Sequence, residues 1–107
     1  MIESEDRVFT ALADATRRQL LTRLAQSSPK TATQLAYEFP ISRQGIMKHL
    51  DLLVQAGLVQ MQTKGREKRY VFHPEALQAA SAWIETIGKQ WDERLQRLKD
   101  LVEDDSV

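Results

Sequence analysis

The chain contains no cysteine. That one absence excludes disulfides, zinc–thiolate sites and thiol nucleophiles, and it fits a reducing compartment. Only two histidines are present, His49 and His73. Without thiolates they have too few fellow ligands for a metal site, so each is expected to be a satisfied structural histidine and no metal is expected. The four glycines are scattered, so there is no Gly-rich phosphate loop. No Ser–His–acid arrangement and no carboxylate pair in a supporting context can be named, which argues against an enzyme and against any cofactor. No apolar run reaches the roughly 18–20 residues that span a bilayer. The acidic N-terminus MIESEDRVFTALAD has no apolar signal stretch, so the expected location is the cytoplasm.

Net charge is also missing: 15 Lys and Arg balance 15 Asp and Glu. The zero conceals an uneven layout. From Ser42 to His73 six cations (Arg43, Lys48, Lys64, Arg66, Lys68, Arg69) face two anions (Asp51, Glu67), a net of +4. From Asp100 to Val107 there are four anions and no cation, a net of −4. A basic region and an acidic tail therefore share one chain. Its 107 residues suit one domain, and 42% hydrophobic content is enough for a core.

Helical periodicity begins around Val8, Phe9 and Leu12. Asp14 is placed to cap a second helix, ATRRQLLTRLAQ, which Ser27, Ser28 and Pro29 stop. Thr33 is expected to start a third helix, and Pro40 to end it. Ser42 can cap a fourth, with Ile46, Leu50 and Leu53 inward and Arg43, Gln44, Met47, Lys48 and Asp51 outward. Gly57 stands where a left-handed residue closes a helix. Leu58–Thr63 and Arg69–His73 alternate as strands, with 64–67 as the hairpin loop. The last element, about Glu75 to Glu103, carries Leu77, Ala80, Ile84, Ile87, Trp91, Leu95, Leu98 and Val102 at helical spacing. At about 1.5 Å per residue it should outrun the core of so small a domain. Its stripe, with Trp83 beside it, then needs a partner. An effector pocket is the competing use of that stripe.

The order from Thr31 to Pro74 — short helix, tight turn, capped helix, basic hairpin — suits an element that enters a DNA groove beside one that grips the backbone. Ala36 is small where two helices cross, and Ile41 can plug the turn between them. Arg43 and Lys48 can donate to guanine O6 and N7, and Gln44 can pair with adenine N6 and N7. Ser42 and Thr33 can bond phosphate at helix N-termini. The hairpin's Lys64, Arg66, Lys68 and Arg69, four cations in six residues, can neutralise phosphates or enter the minor groove. The plainer reading is a helical hairpin with a solvated basic loop. That would make the chain a helical protein-interaction module without DNA binding, working through its terminal stripe.

The segments FTALADATRRQLLTRL (Phe9 to Leu24), ATQLAYEFPISRQGIMKHLDLLVQAGLV (Ala32 to Val59) and KGREKRYVF (Lys64 to Phe72) together resemble the ArsR/SmtB family of winged-helix repressors. The resemblance covers roughly residues 7 to 102. It implies a mainly α fold of about five helices with a small β-hairpin wing, forming one winged helix-turn-helix DNA-binding domain over 1–107. In it, 1–26 would hold the N-terminal helices, 32–56 the helix-turn-helix, 58–73 the wing and 75–103 the dimerisation helix. It implies Ser42, Arg43, Gln44, Met47 and Lys48 in the major groove, and Lys64, Arg66, Lys68 and Arg69 on the wing. It implies a homodimer joined through the first and last helices, at Val8, Phe9, Leu12, Trp83, Ile84, Ile87, Trp91, Leu95 and Leu98. Such a dimer would occupy a double-stranded operator and repress a promoter. The family's metal sensors carry thiolates before the recognition helix, or His and carboxylates on the terminal helix. Here the first place reads QLAYEF and the last helix has no His, so the chain is more similar to the metal-free branch. The resemblance implies an effector of unknown kind, since some members of that branch respond to a small molecule, to a protein partner or to nothing but their own level.

Overall fold

The structure, a computed structural model, describes residues 4–104. The first three residues and the end of the acidic tail lie outside it. In order the elements are α1 (Ser4–Leu12), α2 (Ala15–Gln26), α3 (Ala32–Glu38), α4 (Arg43–Gln55), β1 (Val59–Lys64), β2 (Glu67–Phe72) and α5 (Glu75–Asp104).

Caps set the helix boundaries. The Asp14 carboxylate accepts from the Arg17 amide at 3.0 Å and starts α2. Arg17 also donates back to the carbonyls of Ala11 at 2.7 Å and Thr10 at 3.1 Å, and Arg18 to that of Leu12 at 2.7 Å. The orphan acceptors at the end of α1 are thereby satisfied by the start of α2. The start of α3 departs from expectation. Its N-cap is Thr31, not Thr33. Thr31 Oγ1 accepts from the Gln34 amide at 3.1 Å while Gln34 Oε1 accepts from the Thr31 amide at 2.9 Å. This reciprocal capping box outcompetes a start two residues later, where no such partner exists. Phe39, ahead of Pro40, is extended (φ −125°, ψ 144°) and closes α3. Ser42 caps α4 through the Gly45 amide, at 3.1 Å. Gly57, at φ 77°, ends α4 in a Schellman turn. In it the Leu58 amide donates to Leu53 O at 3.0 Å and the Gly57 amide to Val54 O at 2.9 Å.

The hairpin is tighter than its sequence suggests. The strands pair antiparallel from Val59 opposite Phe72 to Lys64 opposite Glu67, so the expected loop 64–67 shrinks to Gly65–Arg66. Gly65 has φ 62° and no other residue type takes positive φ among the described residues, the pattern of a II′-type turn. At the inner end the Lys30 amide donates to Tyr70 O at 3.0 Å and the Tyr70 amide to Lys30 O at 2.8 Å. This single bridging residue ties the hairpin to the approach to α3.

The core is one cluster drawn from every element: Val8, Leu20, Leu24, Leu35, Ile46, Leu50, Leu53, Val59 and Tyr70, with Leu58 between α4 and β1, closed by Ala80 of α5. The three inward residues of α4 are completely buried, as their spacing predicts. From Ser81 onward every α5 residue with a described side chain is exposed. The helix therefore projects from the body, and the molecule measures 73 × 30 × 23 Å.

Candidate nucleic-acid interface

The N-terminal turn of α4 and the hairpin lie on either side of a cleft of about 490 Å³, with the start of α3 as its floor. Thr31, Thr33, Gln34, Arg43, Met47, Arg66, Glu67, Lys68 and Tyr70 line it, together with Ala32. Three cations against one acid give it a net of +2. The folding reasons are local. Ser42 fixes where α4 begins, the inward leucines fix its rotation, and Arg43, Gln44 and Lys48 are then left exposed on the outer side. The Arg43 guanidinium does not swing free, because its Nε donates to Thr33 Oγ1 at 3.1 Å.

Of the ten residues expected at DNA, Thr33, Arg43, Met47, Arg66 and Lys68 come together around this cleft. Gln44 and Lys48 extend the same outer face of α4, and Lys64 stands exposed at the end of β1. Ser42 is exposed but holds the α4 cap. Met47 is half-buried against the core, leaving part of its side chain for apolar contact. Arg69 is differently engaged from the other wing cations. Its Nε and Nη2 bond Glu67 Oε2 at 3.2 and 3.0 Å. Positions two apart share a face of a strand, which brings these two together.

Tyr70, Lys30, Thr31, Gln34 and Gly45 are structurally important here and were not singled out from the sequence. Tyr70 is 3% exposed, and burial pushes its hydroxyl above the ordinary value, with Asp51 adding to the rise and Arg43 opposing it. It joins the hairpin to the α3–α4 pair. Thr-x-x-Gln at 31–34 is a capping-box pattern visible in sequence; the Lys30–Tyr70 bridge has no local signal. Gly45 faces Ile41 so closely that a Cβ would lie 2.7 Å from Ile41 Cγ2.

Ion pairs hold α3 in place behind the cleft. Glu38 receives both Nε and Nη2 of Arg23, at 2.8 and 3.0 Å, and Lys30 Nζ at 3.6 Å. The Arg23 hydrogen bonds hold the Glu38 carboxyl below its usual range and raise the guanidinium in return. The Arg17 amide likewise lowers Asp14. His49 Nδ1 lies 3.9 Å from Asp14 and His73 Nε2 3.5 Å from Glu75. Among the described residues no group of three or more His, Cys, Asp or Glu side chains is placed to hold a metal ion. No helix there is long and apolar enough to cross a membrane.

The residues expected at the dimer contact divide. Trp83, Ile84, Trp91, Leu95 and Leu98 are each 50–55% exposed, and Ile87 37%. Phe9 is half-buried and meets Trp83 edge-on, with ring centroids 5.4 Å apart. Leu12 packs partly on the core. Val8 is only 2% exposed. It points into the protomer's own core because the side of α1 that faces the body runs through it, so it has almost no surface left for a second chain. Leu101 and Val102, outside the expected set, are 62% and 69% exposed.

A capped helix pair, an outward cationic helix face and a basic hairpin around one cleft define a winged helix-turn-helix regulator. Comparisons with known proteins agree. A family model described as a helix-turn-helix domain matches residues 12–62. The HTH-type transcriptional regulator YuzN of Bacillus subtilis is 37% identical over 89 residues, covering 77% of this chain and 97% of that protein. The transcriptional repressor SdpR of the same organism is 35% identical over 77 residues, covering 72% and 84%. An ArsR-like transcriptional regulator from Rhodococcus has a solved structure that superposes with a TM-score of 0.79, at 40% identity over 92% of each chain. The chain belongs to the ArsR family of winged helix-turn-helix transcriptional regulators, which are not enzymes.

Proposed function

We propose that the chain acts in the cytoplasm as a homodimeric repressor that occupies a two-fold-related operator and blocks a promoter. The observation that carries this is the cationic cleft between α4 and the hairpin, lined by Arg43, Arg66 and Lys68. In this reading residues 32–56 supply the helix-turn-helix, with Arg43, Gln44, Met47 and Lys48 at base edges and Ser42 beside the backbone. Residues 58–73 form the wing, where Lys64, Arg66 and Lys68 neutralise phosphates and Arg69 chiefly braces Glu67. Thr33 supports Arg43.

One helix-turn-helix reads only half a site, so 75–103 joins two copies and sets their recognition helices about 34 Å apart, one turn of DNA. Phe9, Leu12 and the exposed side chains of α5 are the natural contact, because a stripe of this length is not left in water by a monomeric protein. The name of SdpR, a repressor, supports repression. The donor set, with no cysteine and no cluster of metal-binding side chains among the described residues, supports a regulator outside the metal-sensing branch.

The test is a gel shift and footprint with the DNA flanking its own gene. The unsubstituted chain should protect two half-sites one turn apart. Arg43→Ala should weaken binding by about 1–3 kcal/mol, roughly 5- to 150-fold, and relax preference at one base pair per half-site. Protein that shifts no such fragment at low salt would leave the interaction-module reading in its place.

A further inference from the structure

We propose that the hollow between α1 and the C-terminal half of α4 binds a small organic monocarboxylate with an apolar body, and that its occupancy is felt at the DNA face of α4; the second part rests on the repressor reading above. The hollow measures about 350 Å³, at the small end of the range for ligand sites. Arg7, Thr10 and Ala11 of α1 line one side, Leu52, Gln55 and Ala56 of α4 the other, with Arg17 from the start of α2. Leu52 belongs to neither working face of its helix. Ile46, Leu50 and Leu53 fill the core, and Arg43, Gln44 and Lys48 face outward. Leu52 is 44% exposed, and with the buried Ala11 and Ala56 it forms an apolar wall.

The charge in the hollow has one sign. Among the described residues no Asp or Glu lines it. Arg7 is exposed and takes part in no ion pair among them. Arg17 is held in place by its Nε bond to Ala11 O and its Nη2 bond to Thr10 O, which leaves Nη1 as a donor. Asp14, the acid that feels Arg17, is occupied by the α2 cap. A guanidinium matches a carboxylate with two parallel hydrogen bonds, and the Thr10 hydroxyl and Gln55 amide can add one each. Inorganic phosphate would leave Leu52 uncovered, and an uncharged molecule would leave Arg7 unpaired. A second hollow, which shares Arg7, Gln55 and Ala56, carries Glu75 and His73. Glu75 there opposes a second carboxylate on the ligand, because like charges brought together cost affinity.

Arg7 and Thr10, three residues apart, share one edge of α1. Phe9 lies about 200° around the helix from Arg7, so a second chain on Phe9 leaves the hollow open. The ligand would bridge α1, which carries the proposed dimer contact, and α4, which carries Arg43 and Lys48. Occupancy then favours one angle between the dimer frame and the recognition helix. Where that angle differs from the DNA-bound one, ligand and operator change each other's affinity by the same factor.

Two measurements on the full chain test this. In the first, amide NMR spectra are followed as benzoate, phthalate, benzyl alcohol or inorganic phosphate is added at fixed pH and ionic strength. Benzoate should shift the amides of Thr10, Ala11, Gln55 and Ala56 along one saturable curve. Phthalate, benzyl alcohol and phosphate should each bind there about 10-fold or more weakly, as should benzoate in Arg7→Gln. The same spectra show that Arg7→Gln keeps the fold. No saturable benzoate shift, shifts confined to Thr33 and the cleft, or equal benzoate affinity in Arg7→Gln would overturn the site. In the second, gel shifts are run with and without saturating benzoate. Operator affinity should change by about 5-fold or more in the unsubstituted chain and stay unchanged in Arg7→Gln. An unchanged operator affinity beside a saturable NMR shift would overturn the coupling and keep the site. A chain that binds no operator would overturn the repressor reading and the coupling with it, while the spectra still decide the site.

Discussion

Gly45→Ala sets two effects of opposite sign against each other at the turn of the helix-turn-helix. Gly45 is the third residue of α4, and in a helix interior alanine is favoured over glycine by about 0.5–1 kcal/mol. In the first turn, where the backbone is already held by Ser42, that gain lies at the lower end. Against it stands the new methyl, 2.7 Å from Ile41 Cγ2 and 3.3 Å from Ser42 Oγ. Neither neighbour yields cheaply. Ile41 is β-branched and stiff at χ1, and Ser42 Oγ is the acceptor of the cap itself, 3.1 Å from the Gly45 amide. Overpacking of this kind costs about 1–3 kcal/mol, so the net is a destabilisation of about 1 kcal/mol. For a domain of this size that lowers Tm by about 4–8 °C, measured at fixed protein concentration because a dimer's Tm depends on it. Removing the opposing methyl tests the cause. In the double variant Gly45→Ala with Ile41→Ala the two penalties should fail to add by at least about 0.5 kcal/mol. A Tm that rises in Gly45→Ala, or strict additivity in the double variant, would refute the contact as the reason for glycine.

Three further outcomes are expected. Arg66→Ala and Lys68→Ala should weaken all DNA sequences alike and each lower the salt slope of log Kd by about 0.9, whereas Arg69→Ala should change it less because Glu67 already pairs that charge; equal slopes for all three would contradict this ranking. Trp91→Asp with Leu98→Asp should sediment as monomer and bind operator poorly; a persisting dimer would place the contact elsewhere. The Arg23 hydrogen bonds hold the Glu38 carboxyl below its ordinary value, so its stabilising contribution is complete at neutral pH and lost as pH falls through the lowered value. Glu38→Gln should therefore flatten the acid limb of the stability profile below about pH 4.5 and show a lower stability at pH 7, read by urea denaturation; an acid limb unchanged by the substitution would exclude the pair.

What could be read from the sequence was what depends on near neighbours. The α4 register, its Ser42 cap and its closing Gly57 follow from side chains within a few residues, and the structure reproduces each. The length and stripe of α5 are legible for the same reason. Competition and distance account for the rest. Thr31 and Thr33 are both plausible caps, and only the Gln34 three residues after Thr31 separates them. Val8 and Phe9 are adjacent and apolar, but which one faces the body depends on how α1 lies on α2, α4 and α5. In the site, the outer residues of α4 were recognisable from polarity. The Arg43–Thr33 tether and the Lys30–Tyr70 bridge join residues 10 and 40 positions apart and leave no periodic trace.

The projecting half of α5 has a consequence for how the protein is counted in the cell. Most of the stability of a helix in a protein comes from packing its apolar face rather than from the helix itself. In the proposed dimer that packing comes only from a second chain, so α5 completes its folding when two chains meet. Monomer concentration then enters squared into the amount of operator-competent protein. At low abundance the chain is both a poor binder and a frayed substrate for proteases. The long helix thus converts a gradual rise in synthesis into a sharper onset of DNA occupancy, and it does so with no effector at all.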